Sequence, residues 1–164
     1  MKLGMIISSL LVSFIFNQTW AQNKLVEVTV KLSPVGSYVA KTSEVQGTIK
    51  VMGGKVTASE VKVQAKTLKT GITLRDKHTL ERLQADKFPE IVLLTGEGVS
   101  GKGKGRIKIK GIEKPIEGTY KTDGKKIIAE FKLSIKQFGI ENVKYLGVGV
   151  KDEVEIKVQM PVTP

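Results

Sequence analysis

Between residues 26 and 160 apolar and polar side chains alternate again and again with a period of two, the spacing of strands that bury one face. Val26, Val28, Val30 and Leu32 alternate with Glu27, Thr29 and Lys31. Val61, Val63 and Ala65 alternate with Glu60, Lys62, Gln64 and Lys66, and Ile107 and Ile109 with Arg106, Lys108 and Lys110. The longest stripe is Ile127, Ala129, Phe131, Leu133 and Ile135 against Glu130, Lys132, Ser134 and Lys136, with Ile128 out of phase. Val154, Ile156, Val158 and Met160 close the chain against Glu155, Lys157 and Gln159. Weaker strands are expected at 45–52, 91–99 and 116–121, which brings the total to about eight.

Gly53-Gly54, Gly101 to Gly105, Gly111 and Asp123-Gly124 separate these runs and are residues that reverse a chain tightly. Strands so close together leave no room for crossover helices, which predicts an antiparallel sheet. Only 73–83 breaks the rhythm. With Leu74, Leu80 and Leu83 and no Gly or Pro, it reads as a short helix opened by Thr73, and Phe88-Pro89 ends the excursion. Strands apolar on one side must curl until that side is covered. A sandwich satisfies this as a barrel does, and an all-β antiparallel barrel is the preferred reading. An outer face of Lys and Glu excludes a membrane-spanning barrel, which turns its apolar side to lipid. The inward residues Val61, Val63, Leu93, Ile107, Ile109, Tyr120, Phe131, Leu133 and Ile156 are the candidate wall of a lumen. The same residues packed on one another would make a filled core, and the barrel a structural or interaction protein at the anionic cell envelope.

Residues 1–21 have the layout of a secretory signal: Lys2, an apolar run from Leu3 to Phe16, and Thr19-Trp20-Ala21 as the cleavage site. Cleavage there leaves a single domain at 22–164, exported to the periplasm or secreted. The run is shorter than the roughly 20 residues of a permanent membrane helix. The chain has no cysteine, so stability must come from packing and sheet hydrogen bonds, and thiolate catalysis is excluded. With 27 Lys and Arg against 16 Asp and Glu the net charge is +11, favouring anionic partners such as the envelope surface. The lysines are dispersed, as on a solvated outer face, and few aromatics are available for stacking, so nucleic acid is not expected. Oligomeric state, a dimer included, stays open.

Arg75-Asp76-Lys77-His78 is the densest polar cluster. At the start of a helix it can meet an anionic head group, or Arg75 and Asp76 can fasten the helix to loop groups. Tyr38, Tyr120 and Tyr145 each join an apolar ring to a polar tip and suit the mouth of a barrel. Arg75, His78 and Tyr38 are thus the candidate head-group contacts. A single histidine builds neither a metal site nor a triad, so no metal, cofactor or catalytic residue is assigned. Gly96-x-Gly98-x-x-Gly101 matches a dinucleotide fingerprint only on paper, because a strand follows where a helix is needed.

Five segments resemble the YceI-like family of bacterial polyisoprenoid-binding proteins, in the family's order and over nearly the whole mature chain. They are Thr70-Gly71-Ile72-Thr73-Leu74-Arg75-Asp76-Lys77-His78, Phe88-Pro89-Glu90-Ile91, the run from Ile107 to Pro115, Phe138-Gly139-Ile140, and Asp152-Glu153-Val154-Glu155-Ile156. The resemblance implies an extended lipocalin-like barrel, export to the periplasm, and an isoprenoid or other long-chain lipid carried in the lumen without catalysis. Two features depart from it. No histidine stands between Leu32 and Tyr38 where many members have a His-Ser pair, and Ile135 occupies a position often held by arginine.

Overall fold

The computed structural model describes residues 24–163 apart from 124 and 146, so the expected export signal and Gly124 lie outside it. The alternating segments form strands β1 (Leu25–Ser33), β2 (Ser37–Thr42), β3 (Val45–Met52), β4 (Lys55–Gln64), β5 (Glu90–Val99), β6 (Lys102–Ile109), β7 (Ile112–Asp123), β8 (Lys126–Ser134), β9 (Lys144–Tyr145) and β10 (Val148–Pro161). Helix α1 spans Thr73–Leu83, as its leucine spacing predicts. Every ladder is antiparallel, in the order β2-β1-β10-β8-β7-β6-β5-β4-β3, with the short β9 on β10. Strand β2 was not among the expected eight. Its segment Ser37–Thr42 is short and its inner phase, Tyr38, Ala40 and Thr42, has only two apolar members, too few to show a period.

Two-residue turns set the register. Gly53-Gly54, Ser100-Gly101 and Lys110-Gly111 all take positive φ in succession, the geometry whose twist matches that of the flanking strands. Gly103 and Gly105, expected as turn residues, instead lie inside β6 and pair with Gly98 and Gly96 of β5. Close approach explains two of these glycines: a β-carbon on Gly98 would run into the Tyr120 ring, and one on Gly105 would run into the Thr95 carbonyl of β5.

The sheet curls into a half-barrel, with no β2–β3 ladder among the described residues. These two edge strands are consecutive in the chain, joined only by Ser43 and Glu44, so the edges must meet at that corner. Around it, the Lys41 and Lys69 backbones exchange hydrogen bonds of 2.9 Å. Thr67 donates to the Gln64 carbonyl at 2.8 Å, which leaves the buried Thr42 hydroxyl to donate to Thr67 and accept from the Glu44 amide. At the far end the tail crosses the seam, where the Thr163 amide donates to the Ile49 carbonyl at 2.7 Å. On the outer face, Lys-Glu pairs such as Lys31–Glu155 and Lys132–Glu153 link neighbouring strands; exposed pairs of this kind contribute little to stability.

The interior has two unlike halves. Ile49, Val56, Ile127 and Met160 are buried at one end, where side chains fill the space and Tyr120 packs beside them. At the other end, beneath α1, the same aliphatic residue types surround a cavity.

Candidate functional site

Helix α1 is held over the open end of the barrel by polar contacts, and none of its residues is buried. The Asp76 carboxylate accepts from the Thr70 hydroxyl at 2.6 Å and the Thr70 amide at 2.8 Å, tying the helix to the loop before it. Arg75 lies 4.3 Å above the Tyr38 ring of β2, a cation–π contact worth about 0.5–2 kcal/mol. Across β8 and β10 Ser134 donates to Asp152 at 2.7 Å, and the Lys136 amide donates to the same carboxylate at 2.9 Å. These bonds fix the turn Ile135–Phe138 and seat the buried Phe138.

Both carboxylates are held below their ordinary range, Asp76 chiefly by the Thr70 hydroxyl and Asp152 chiefly by the Lys136 amide. Their folded pKa values therefore lie below the usual 3.8. Their contribution is complete above that value and is lost as pH falls through the depressed folded values. Asp76→Asn is expected to cost about 1 kcal/mol at neutral pH, since the bonds are partly solvated, and to flatten the acid limb of the stability curve. Urea unfolding between pH 2 and 7 reads this, and an unchanged acid limb would contradict it.

The cavity measures about 870 Å3. Strands β1, β4, β5, β6, β8 and β10 supply its aliphatic wall, and α1 supplies its roof. Of the nine residues expected to line a lumen, Val61, Val63, Leu93, Ile107, Ile109, Phe131, Leu133 and Ile156 do so. Tyr120 does not. Its ring lies over Gly98 in the solid half, a position that strand phase alone does not distinguish from the hollow half. Arg75, His78 and Tyr38 all reach the cavity on the α1 side. Asp76 is turned to Thr70 instead, fastening the loop as the structural reading of that cluster expects. The side chain of Tyr145 lies outside the described residues.

Burial raises the Tyr38 phenol pKa, with Arg75 and Thr79 pulling the other way, so the group stays a neutral donor. The charged residues of the cavity lining are the cations Arg75, Arg82 and Lys144, with His78, and the acid Glu81; of these Arg75 stands against Tyr38. The sequence reading missed part of the helical lining, although its signal is present. Leu74, Arg75, His78, Thr79, Arg82 and Leu83 recur at one-turn spacing and so share one face of α1. Val143, Lys144 and Leu68 come from loops and strand ends, where no period announces an inward direction.

Among the described residues no helix is long and apolar enough to cross a membrane. The crystal structure of BcnA from Burkholderia cenocepacia is similar, with a TM-score of 0.65 at 14% identity over 84% of this chain and 96% of that one. A polyisoprenoid binding domain from Saccharophagus degradans, implicated in plant cell wall breakdown, gives 0.54 at 9% identity over 85% and 94%. The Campylobacter jejuni YCEI protein gives 0.53 at 16% identity over 100% and 94%. Identities this low speak for a shared fold alone. No curated protein matches the chain. The family model of the YceI-like domain, however, matches residues 18–162, and the chain belongs to that family.

Proposed function

We propose that this protein is an exported, periplasmic carrier that holds an apolar lipid, a polyisoprenoid or a chain of like shape, in the cavity beneath α1 and catalyses nothing. The cavity carries the proposal: about 870 Å3 walled by aliphatic side chains, with Arg75 set against the neutral Tyr38 phenol in its lining. At roughly 30 Å3 per liquid-packed heavy atom it takes on the order of thirty carbons, about six isoprene units. Burying such a chain yields roughly 25 cal/mol per Å2 of apolar surface, and no reactive group is needed. An anionic head group would meet Arg75, His78 and Tyr38. The Thr79 hydroxyl in the lining donates to the Arg75 carbonyl at 2.9 Å and is engaged in its helix. The polyisoprenoid-binding relative of like fold supports the same ligand class.

Extraction of the purified protein with organic solvent, followed by mass spectrometry, tests this. A prenyl chain of about the estimated size is expected, and the emptied protein should take up added prenyl alcohol or phosphate. An extract without lipid, from a barrel that also refuses both probes, would overturn the proposal.

A further inference from the structure

Four of the exposed large apolar side chains gather at the hollow end of the barrel. Ile72 and Leu74 at the start of α1 are each 50% exposed, and Val148 at the start of β10 is 41% exposed, yet all three also line the cavity. Val35, 82% exposed, sits in the β1–β2 loop, whose edge residue Ser33 pairs with Gly149 beside Val148. The apolar wall of the cavity thus continues outward onto the surface. A water-facing function does not call for such a rim.

Cations frame it. Lys69, Arg75, Lys77, Arg82, Lys144 and Lys151 stand on the segments that form the mouth, and none has an ion pair among the described residues. The nearby acids are partly spent, with Asp76 held by Thr70 and Asp152 by Ser134 and Lys136; Glu81 and Glu141 remain. Exposed apolar tips with unpaired cations on the same segments match the two layers of an anionic phospholipid surface, hydrocarbon below and phosphate above.

We propose that this rim docks the protein, mouth down, on an anionic phospholipid bilayer, so that an apolar chain passes between membrane and cavity without crossing water. The transfer rests on the carrier reading, whereas the docking stands on the rim alone. A second exposed apolar group, Val51, Met52 and Val99 at the hairpin tips of the solid end, has no cavity behind it and serves as the internal control.

The test is sedimentation of the full protein with phosphatidylcholine vesicles, with and without phosphatidylglycerol, together with the lipid content of each sample. Binding is expected only to the anionic vesicles and should weaken with salt. Val35→Ser combined with Lys77→Glu touches no cavity residue and is expected to cut vesicle binding at least tenfold, at about fivefold per basic residue near an anionic surface. Its equilibrium lipid content should equal that of the parent. Ile72→Ser and Leu74→Ser should weaken vesicle binding too, and Met52→Ser should not. Failure to bind anionic vesicles, or equal loss from Met52→Ser and Val35→Ser, would overturn the proposal, the second result pointing to non-specific adhesion. Capture of a protein partner by the rim, unaffected by competing vesicles, would overturn it as well. Vesicle binding by a protein that holds no lipid would sink the carrier reading and leave the docking intact.

Discussion

Val28→Trp is expected to weaken lipid binding about a hundredfold and to leave the barrel folded. Val28 sits mid-strand in β1, paired with Ala40 of β2 and Ile156 of β10, and its side chain lines the cavity. An indole there extends into the hollow and not into packed neighbours, so the overpacking penalty of a solid core does not arise. It takes the place of about seven ligand carbons, which at about 0.8 kcal/mol per methylene amounts to on the order of 5 kcal/mol. Rearrangement of the remaining chain recovers part of this, leaving about 3 kcal/mol. Titration of delipidated protein with a fluorescent prenyl probe reads the loss, and a melting curve reads the fold. Undiminished affinity in a folded variant would show that the lipid, if any, sits elsewhere.

Truncating one isoleucine in each half should separate them by stability. Ile127 of β8 is 1% exposed, touches the solid end only, and pairs across the sheet with Met160 and Thr122. Ile127→Ala is expected to cost about 2–5 kcal/mol, because the atoms that packed on it cannot close the gap. Ile91 of β5 lines the cavity and is only partly buried. Its inward methyl groups already face space, so Ile91→Ala removes fewer contacts and should cost under about 2 kcal/mol in the delipidated protein. Urea unfolding of both variants measures the difference. Equal costs would mean that the two halves are packed alike. Against a typical total of 5–15 kcal/mol, the first substitution takes a large share and the second does not.

Much of this fold was legible because water contacts one face of each strand and apolar neighbours the other, and that contrast is written directly as alternation. The stripes of β1, β8 and β10 therefore point inward as their phase predicts. The helix boundaries follow from leucine spacing in the same way. What alternation does not carry is the distance across the interior. Valine and isoleucine serve equally to fill the solid end and to wall the cavity, so Tyr120 and Phe131, alike in phase, end in different halves. Gly103 and Gly105 look like turn residues because glycine most often is one; that Gly105 lies in strand, tight against the Thr95 carbonyl of β5, is a cross-strand relation the local sequence does not show. Arg75 and His78 were singled out by chemistry, but their meeting with Tyr38 depends on how α1 crosses the seam, a long-range relation that local spacing does not encode.

The pairing of β1 with β10 brings together segments from opposite ends of the chain, such as Leu25 with Gln159. Between them β1 has only the small β2 hairpin for company, so a nascent chain lacking its last fifteen or so residues leaves both β1 and β8 with unsatisfied edges. Closure must await the final strand, and contacts this distant in order form slowly. Until β10 has been made, the edges of β1 and β8 stay open together, so the barrel assembles as a late and largely all-or-none event.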